Sequence, residues 1–175
     1  VWVLQSHTYT TNSGIILDGP DAVLIDPGLT PANLDFMRRL LHQREARARF
    51  VILTHGHWDH LLGVGAFPEC DVVAQQRYLR EIQAHYQDLV QQVARRQTEE
   101  DIVPDTGFLP PWPTLTFHRT VSIHLNNREL ILIHVPGHSP DQCAIFLPDV
   151  GLLWAGDMLS DGEPPMAMDG IPHYV

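Results

Sequence analysis

Phe50-Val51-Ile52-Leu53-Thr54-His55-Gly56-His57-Trp58-Asp59-His60 is the stretch on which the reading of this chain turns. Four apolar residues in a row predict a buried strand. Directly behind it, positions 55 to 60 carry three imidazoles and a carboxylate. Neutral imidazole nitrogens and carboxylate oxygens suit a divalent first-row metal such as zinc. In an extended segment alternate side chains face the same way, so His55 and His57 converge on one ion. Asp59 and His60 lie past the predicted bend and point at a second. A solvated, histidine-rich loop is the plain alternative. The strand in front and matching partners downstream weigh against it.

Those partners repeat one layout, a strand that delivers a ligand to its C-terminal end. Val135-Pro136-Gly137-His138-Ser139-Pro140 follows one apolar run, and Trp154-Ala155-Gly156-Asp157 follows another. Loops at a sheet edge, held by a rigid scaffold, are common places for sites. Alone, His138 reads as a turn residue and Asp157 as a turn or cap residue. Together with residues 55 to 60 they read as a metal centre.

The rest of the chain supplies an α/β frame. Short strands are predicted at residues 1–4, 13–17 and 22–25, with turn signals at Asn12-Ser13-Gly14 and Asp18-Gly19-Pro20. Thr30 before Pro31 predicts a helix start, and Leu34, Met37, Leu40 and Leu41 form its apolar face. Arg44, Arg47 and Arg49 are expected at its C-terminal end. A short helix is expected after His60, and a strand at residues 71–74. Leu79, Ile82, Tyr86, Leu89 and Val93 predict a long amphipathic helix over residues 76–96. Pro104, Pro110, Pro111 and Pro113 make the next stretch a loop, in which Phe108 and Trp112 either line a pocket or simply pack. Strands follow at residues 115–117, 121–125, 130–135, 143–147 and 151–154. Strands, helix, strands, helix and strands again imply a layered α/β sandwich.

Composition narrows the function classes. The 175 residues fit one domain, and 44% hydrophobic with 18% charged content is ordinary for a globular protein. A formal net charge of −10 argues against a phosphate-tracking surface, so no nucleic-acid partner is expected. No apolar run reaches the roughly 20 residues that span a bilayer, so no membrane association is expected. Cys70 and Cys143 are too few for a disulfide framework, and Cys143 reads as a buried thiol. No signal-peptide pattern is seen at the start, although the first residue is Val1 and not methionine; a cytoplasmic location is the expectation.

With these pieces in order, the chain resembles the metallo-β-lactamase-fold superfamily. The matching residues are Leu24-Ile25-Asp26-Pro27-Gly28, His55-x-His57-x-Asp59-His60, Pro136-Gly137-His138-Ser139 and Gly156-Asp157. The resemblance implies a four-layer αββα sandwich with one or two metal ions at one edge of the sheets. It implies that His55, His57 and His138 hold the first ion, that Asp59 and His60 belong to the second, and that Asp157 bridges them. Asp26 matches a position that supports the ligands from behind. The family's usual last histidine, from a Gly-His turn well past the bridging aspartate, has no clear counterpart. His173 lies in the remaining tail with no glycine turn before it and is not expected to ligate. The expectation is a single domain over residues 1–175, truncated at its C-terminus.

The chemistry expected of such a centre is hydrolysis, because a divalent metal lowers the pKa of bound water to about 7. Asp59 would orient the nucleophile and carry a proton to the leaving group. His60 together with Asp157 resembles the hydroxyacylglutathione hydrolase and lactonase branches, so an ester, thioester, lactone or related bond of a small molecule is the expected target. Two zinc ions are expected, with iron or manganese as the other options, and a homodimer as one assembly. Two alternatives stand beside this. One is a mononuclear iron persulfide dioxygenase, which the resemblance allows; the other is a non-catalytic ligand-binding domain of the same fold. His134 and His124 alternate within strand-like runs and read as core or surface residues.

Overall fold

The computed structural model describes residues 1–98, 102, 107–159 and 169. A six-stranded sheet contains β1 (Trp2–Gln5), β2 (Asn12–Asp18), β3 (Asp21–Ile25), β4 (Arg47–Ile52), β5 (Asp71–Gln75) and β6 (Leu115–Phe117), in that spatial order. The first three strands pair antiparallel, and β3 through β6 pair parallel. Parallel neighbours need crossovers: α1 (Pro31–Gln43) joins β3 to β4, α2 (Tyr78–Arg96) lies between β5 and β6, and the β4–β5 crossover carries only 3-10 turns. A second, antiparallel sheet runs β10 (Leu152–Trp154), β9 (Cys143–Leu147), β8 (Glu129–His134) and β7 (Thr120–His124).

Period-2 alternation in the first sheet divides the core into two slabs. Ile15, Leu24, Val51, Val72 and Ala74 face the helices, where they meet Met37, Leu40, Ile82, Leu89 and Val93. Ile16, Val23, Ile25, Ile52 and Val73 face the second sheet and pack on Leu130, Leu132, Cys143, Ile145 and Leu147. The layers are therefore helices, sheet, sheet. Among the described residues no helix covers the outer face of the second sheet, where the fourth layer was expected. The mixed α/β sandwich expected from the sequence is what forms.

Local chemistry sets the element ends. Thr30 is extended and its hydroxyl accepts the Asn33 N–H at 3.2 Å, capping α1 ahead of Pro31. Glu45 adopts φ +52° and ends that helix early, so only Arg44 caps it. Arg47 and Arg49, expected at the helix end, lie instead in β4, with Ala48 between them facing the core. The helix expected after His60 is replaced by two 3-10 turns, Trp58–His60 and Val64–Ala66. Between the two turns Gly63 packs against backbone, where a Cβ would sit 1.5 Å from the Pro27 carbonyl oxygen. In α2 a break at His85 (φ −115°, ψ 16°) interrupts the helical phase. Tyr86 is accordingly 37% exposed, while Ile82, Leu89 and Val93 stay buried. Of the proline-rich segment, Pro104 lies outside the described residues. Phe108 lines a pocket of about 200 Å³ with Leu61, Leu62, Phe67 and Cys70, whereas Trp112 is 65% exposed and takes no part. Cys143 is fully buried, as expected.

Candidate metal centre

Four chain segments meet at one edge of the sandwich, each just past the C-terminal end of a strand. Asp26 follows β3, Thr54 to His60 follow β4, His138 follows β8 and Asp157 follows β10. Backbone bonds lock the edge together. Asp26 donates its N–H to the Ile52 carbonyl at 3.0 Å, and Cys143 at the start of β9 donates to the Thr54 carbonyl at 2.8 Å. Ligands in parallel α/β sheets gather at this end of the strands.

His55 and His57 lie in the loop beyond β4 and not in an extended strand, yet they converge as expected. His57 Nδ1 stands 2.9 Å from His55 Nε2 and 3.0 Å from His138 Nε2. Tetrahedral zinc with Zn–N of 2.0–2.1 Å places its ligand atoms about 3.3 Å apart, so the three nitrogens need only a slight opening to hold one ion. His55, His60 and Asp157 form a second cluster beside the first. His60 Nε2 is buried with no hydrogen-bond partner, 3.5 Å from Asp59 Oδ2 and 3.4 Å from Asp157 Oδ1. An orphaned imidazole nitrogen between two carboxylates fits a cation that is supplied from outside. Asp157 turns its other oxygen, Oδ2, toward His138 Nε2 at 3.6 Å, so one carboxylate reaches both halves. The donor set therefore fits one or two divalent metals. His173 lies outside the described residues.

The residues behind the ligands decide which nitrogen of each ring is presented. Asp26 is buried in the left-handed region at φ +43°. Its Oδ1 accepts the Thr54 N–H at 2.8 Å, and its Oδ2 accepts the Thr54 hydroxyl at 2.6 Å. His60 Nδ1 is 2.8 Å from the same Oδ2, so Nδ1 carries a proton and Nε2 is the nitrogen turned to the centre. Thr54 has already given its proton to Asp26, so its oxygen accepts from His55 Nδ1 at 3.0 Å. His55 Nε2 is thereby left as a lone pair facing His57. One carboxylate thus sets two tautomers, directly for His60 and through Thr54 for His55.

For His55 and His57 the electrostatics agree with this arrangement. Burial, and then the neighbouring imidazoles, hold His55 well below the usual histidine range. Burial first, with His138 and His60 adding to it, brings His57 down to about 4. Both are neutral at pH 7, the form that binds metal. Burial opposes charge on His60, but Asp59, Asp26 and Asp157 outweigh it and raise its pKa well above the ordinary histidine range, so without metal the ring holds a second proton, on Nε2, that a bound cation would displace. Burial would raise Asp157, and His60, His138 and His57 overcome it to lower its pKa.

Asp141 and Thr11 carried no signal in the sequence. Asp141 is buried, accepts the Ser139 hydroxyl on Oδ1 at 2.7 Å, and has no hydrogen-bond partner for Oδ2. Gly156 adopts φ +54°, and a Cβ there would meet Gln142 Nε2 at 2.3 Å, so glycine is required for the turn that presents Asp157. Thr11, 48 positions away in sequence, donates its hydroxyl to Asp59 Oδ2 at 2.9 Å. His134, read as a core or surface residue, is half-buried, with Nε2 donating to the Pro140 carbonyl at 2.9 Å; His124 is exposed.

A two-sheet α/β sandwich with a histidine–carboxylate cluster at one sheet edge defines a metal-binding protein. The family model of the metallo-beta-lactamase superfamily matches residues 8–174, and the chain belongs to that superfamily. It is similar to the human acyl-coenzyme A thioesterase MBLAC2, with 27% identity over 178 residues that span 93% of this chain and 62% of the human protein. The chain thus covers less than two thirds of that relative. Its fold is similar to TTHA1623 in a di-iron-bound form, with a TM-score of 0.67, 23% identity, and coverage of 94% of this chain and 76% of the other. It is also similar to ETHE1 from Myxococcus xanthus, with a TM-score of 0.64, 20% identity, and coverage of 91% and 58%. Among the described residues no helix is long and apolar enough to cross a membrane.

Proposed function

We propose that this protein is a metal-dependent hydrolase of a small ester, thioester or lactone, with two zinc ions as its cofactor. The observation that carries the reading is the pair of adjoining ligand clusters joined by the two oxygens of Asp157. His55, His57 and His138 would hold one ion; His60 and Asp59 would hold the other, with Asp157 between them. When bound, such ions lower the pKa of water to about 7 and polarise the bond to be cleaved.

The chain's own groups do the rest. Asp26 and Thr54 keep His55 and His60 in the tautomers that leave Nε2 open. Asp59, one oxygen of which is held by Thr11, orients the attacking water and returns its proton to the leaving group. Similarity to an acyl-coenzyme A thioesterase supports a thioester as the first substrate to try. A net charge of −10 supports a small molecule over nucleic acid.

Metal analysis of purified protein, followed by a screen of thioester, lactone and phosphodiester substrates, tests this. About two zinc ions per chain together with turnover support it. One iron per chain moves the reading to a mononuclear dioxygenase, and no metal at all sinks the enzyme reading. Asp59→Asn should abolish turnover while the ion held by His55, His57 and His138 stays bound.

A further inference from the structure

The connection between β1 and β2, residues 6–11, is held in a conformation that its sequence does not favour. Tyr9 and Thr10 both lie in the left-handed region, at φ 63° and 53°, without being glycine. Two such residues in succession persist only where surrounding contacts over-determine them. Those contacts surround the loop. The Tyr9 ring stands edge-on against Trp58, with centroids 5.2 Å apart and planes at 88°. The Arg96 guanidinium, from the last turn of α2, lies 4.9 Å from the Tyr9 ring and 5.7 Å from the Trp58 ring, and also hydrogen-bonds the Tyr9 hydroxyl. Ser6 closes the loop by donating its N–H to the Thr11 carbonyl at 3.0 Å.

The result of this folding is one bond. Thr11, buried at 7% exposure, donates its hydroxyl to Asp59 Oδ2 at 2.9 Å. That oxygen is the one facing His60 Nε2 at 3.5 Å. The terminal torsion of an aspartate is a broad, roughly two-fold rotor, so a single hydroxyl selects which oxygen is presented and where. Trp58, gripped by Tyr9 and Arg96, is the residue immediately before Asp59, so the clamp and the hydrogen bond act on the same 3-10 turn.

We propose that the β1–β2 connection is a positioning element for the second half of the centre. Thr11 fixes the Asp59 carboxylate, and the Tyr9–Trp58–Arg96 stack holds the loop where Thr11 can reach it. The proposal rests on Asp59 belonging to the centre as read above. Thr11 is a positioning residue and touches no substrate.

The test uses the whole chain with Thr11→Val, Thr11→Ser and Arg96→Ala, zinc titration on each, and crystal structures of the two Thr11 variants. Valine keeps the shape and removes the hydroxyl; serine restores the hydroxyl. Thr11→Val should weaken the second zinc by about tenfold and leave the first unchanged, the size seen when a partner behind a metal ligand is lost. Thr11→Ser should return to near the wild-type value, and Arg96→Ala should shift in the direction of Thr11→Val. In the crystal the Asp59 carboxylate should turn in the valine variant and stay in the serine variant. An unmoved Asp59 in Thr11→Val overturns the proposal, as does equal weakening in the valine and serine variants, which means packing alone. Wild-type protein that takes up a single zinc overturns the two-metal reading instead, and the position of Asp59 in Thr11→Val still decides the role of Thr11.

Discussion

Asp26→Asn keeps the shape of a buried side chain and exchanges one acceptor oxygen for a donor. In the folded protein Asp26 receives the Thr54 N–H at 2.8 Å on Oδ1, with the Thr54 hydroxyl at 2.6 Å and His60 Nδ1 at 2.8 Å on Oδ2. Asparagine can keep its oxygen opposite the Thr54 N–H, but its NH₂ then confronts the hydroxyl and the imidazole. The hydroxyl must turn round and give its proton to His55 Nδ1. His60 must accept at Nδ1. Each ring then carries its proton on Nε2, the nitrogen aimed into the centre, and both lone pairs offered to metal disappear. The opposite amide orientation leaves the buried Thr54 N–H without an acceptor, which costs about 1–3 kcal/mol. Loss of such a partner weakens metal binding by about 10- to 100-fold, or roughly 1.4–2.8 kcal/mol. Zinc competition against a chromophoric chelator measures the affinity, and long-range nitrogen–proton NMR of the metal-free protein reads the His55 tautomer. Zinc affinity within about threefold of wild type, with His55 still protonated on Nδ1 and not on Nε2, would refute the relay through Thr54.

Three further outcomes are expected. Gly63→Ala puts a methyl 1.5 Å from the Pro27 oxygen and 2.5 Å from the Gly28 oxygen, so two backbone segments must part. The loss should be about 3 kcal/mol or more, some 6–12 °C in Tm, and a melting curve within about 2 °C of wild type contradicts the close approach. Burial raises Asp141 from 3.8 to about 6 against the pull of the Ser139 hydroxyl. The folded state therefore holds its proton more tightly than the unfolded state, and stability falls as pH rises from about 4 to about 6. Asp141→Asn should remove that slope and recover up to about 3 kcal/mol at pH 7, read by urea denaturation of the metal-free protein; an unchanged slope shows the group is not the source. Thr30→Ala removes the α1 cap and should cost about 1 kcal/mol, or roughly 2–4 °C in Tm; no shift would mean the cap contributes nothing.

Much of the site was legible in the sequence because its signal is local. His55, His57, Asp59 and His60 sit within one turn of chain behind an apolar run, and His138 and Asp157 repeat the strand-then-ligand layout. Strand and helix periodicity carried the frame, since Leu34, Met37, Leu40 and Leu41 all bury as a helical stripe must. The misreadings occurred where distant backbone overrode local pattern. Two 3-10 turns, with Gly63 packed against Pro27 between them, stand where a helix was expected, and Arg47 and Arg49 lie in β4, which pairs with β3. In α2, the break at His85 left Tyr86 outside the stripe.

The sequence by itself determined which atoms are available to a metal and the order in which strands deliver them, because residue type and alternation along a strand are local properties. Only the tertiary structure decided which nitrogens meet, that Asp157 reaches both clusters, and that Asp26 sets two histidine tautomers. Thr11 reaches Asp59 across 48 positions, and Asp26 reaches His60 across 34. Contacts that close loops of that length depend on how the layers pack, and no spacing along the chain encodes them.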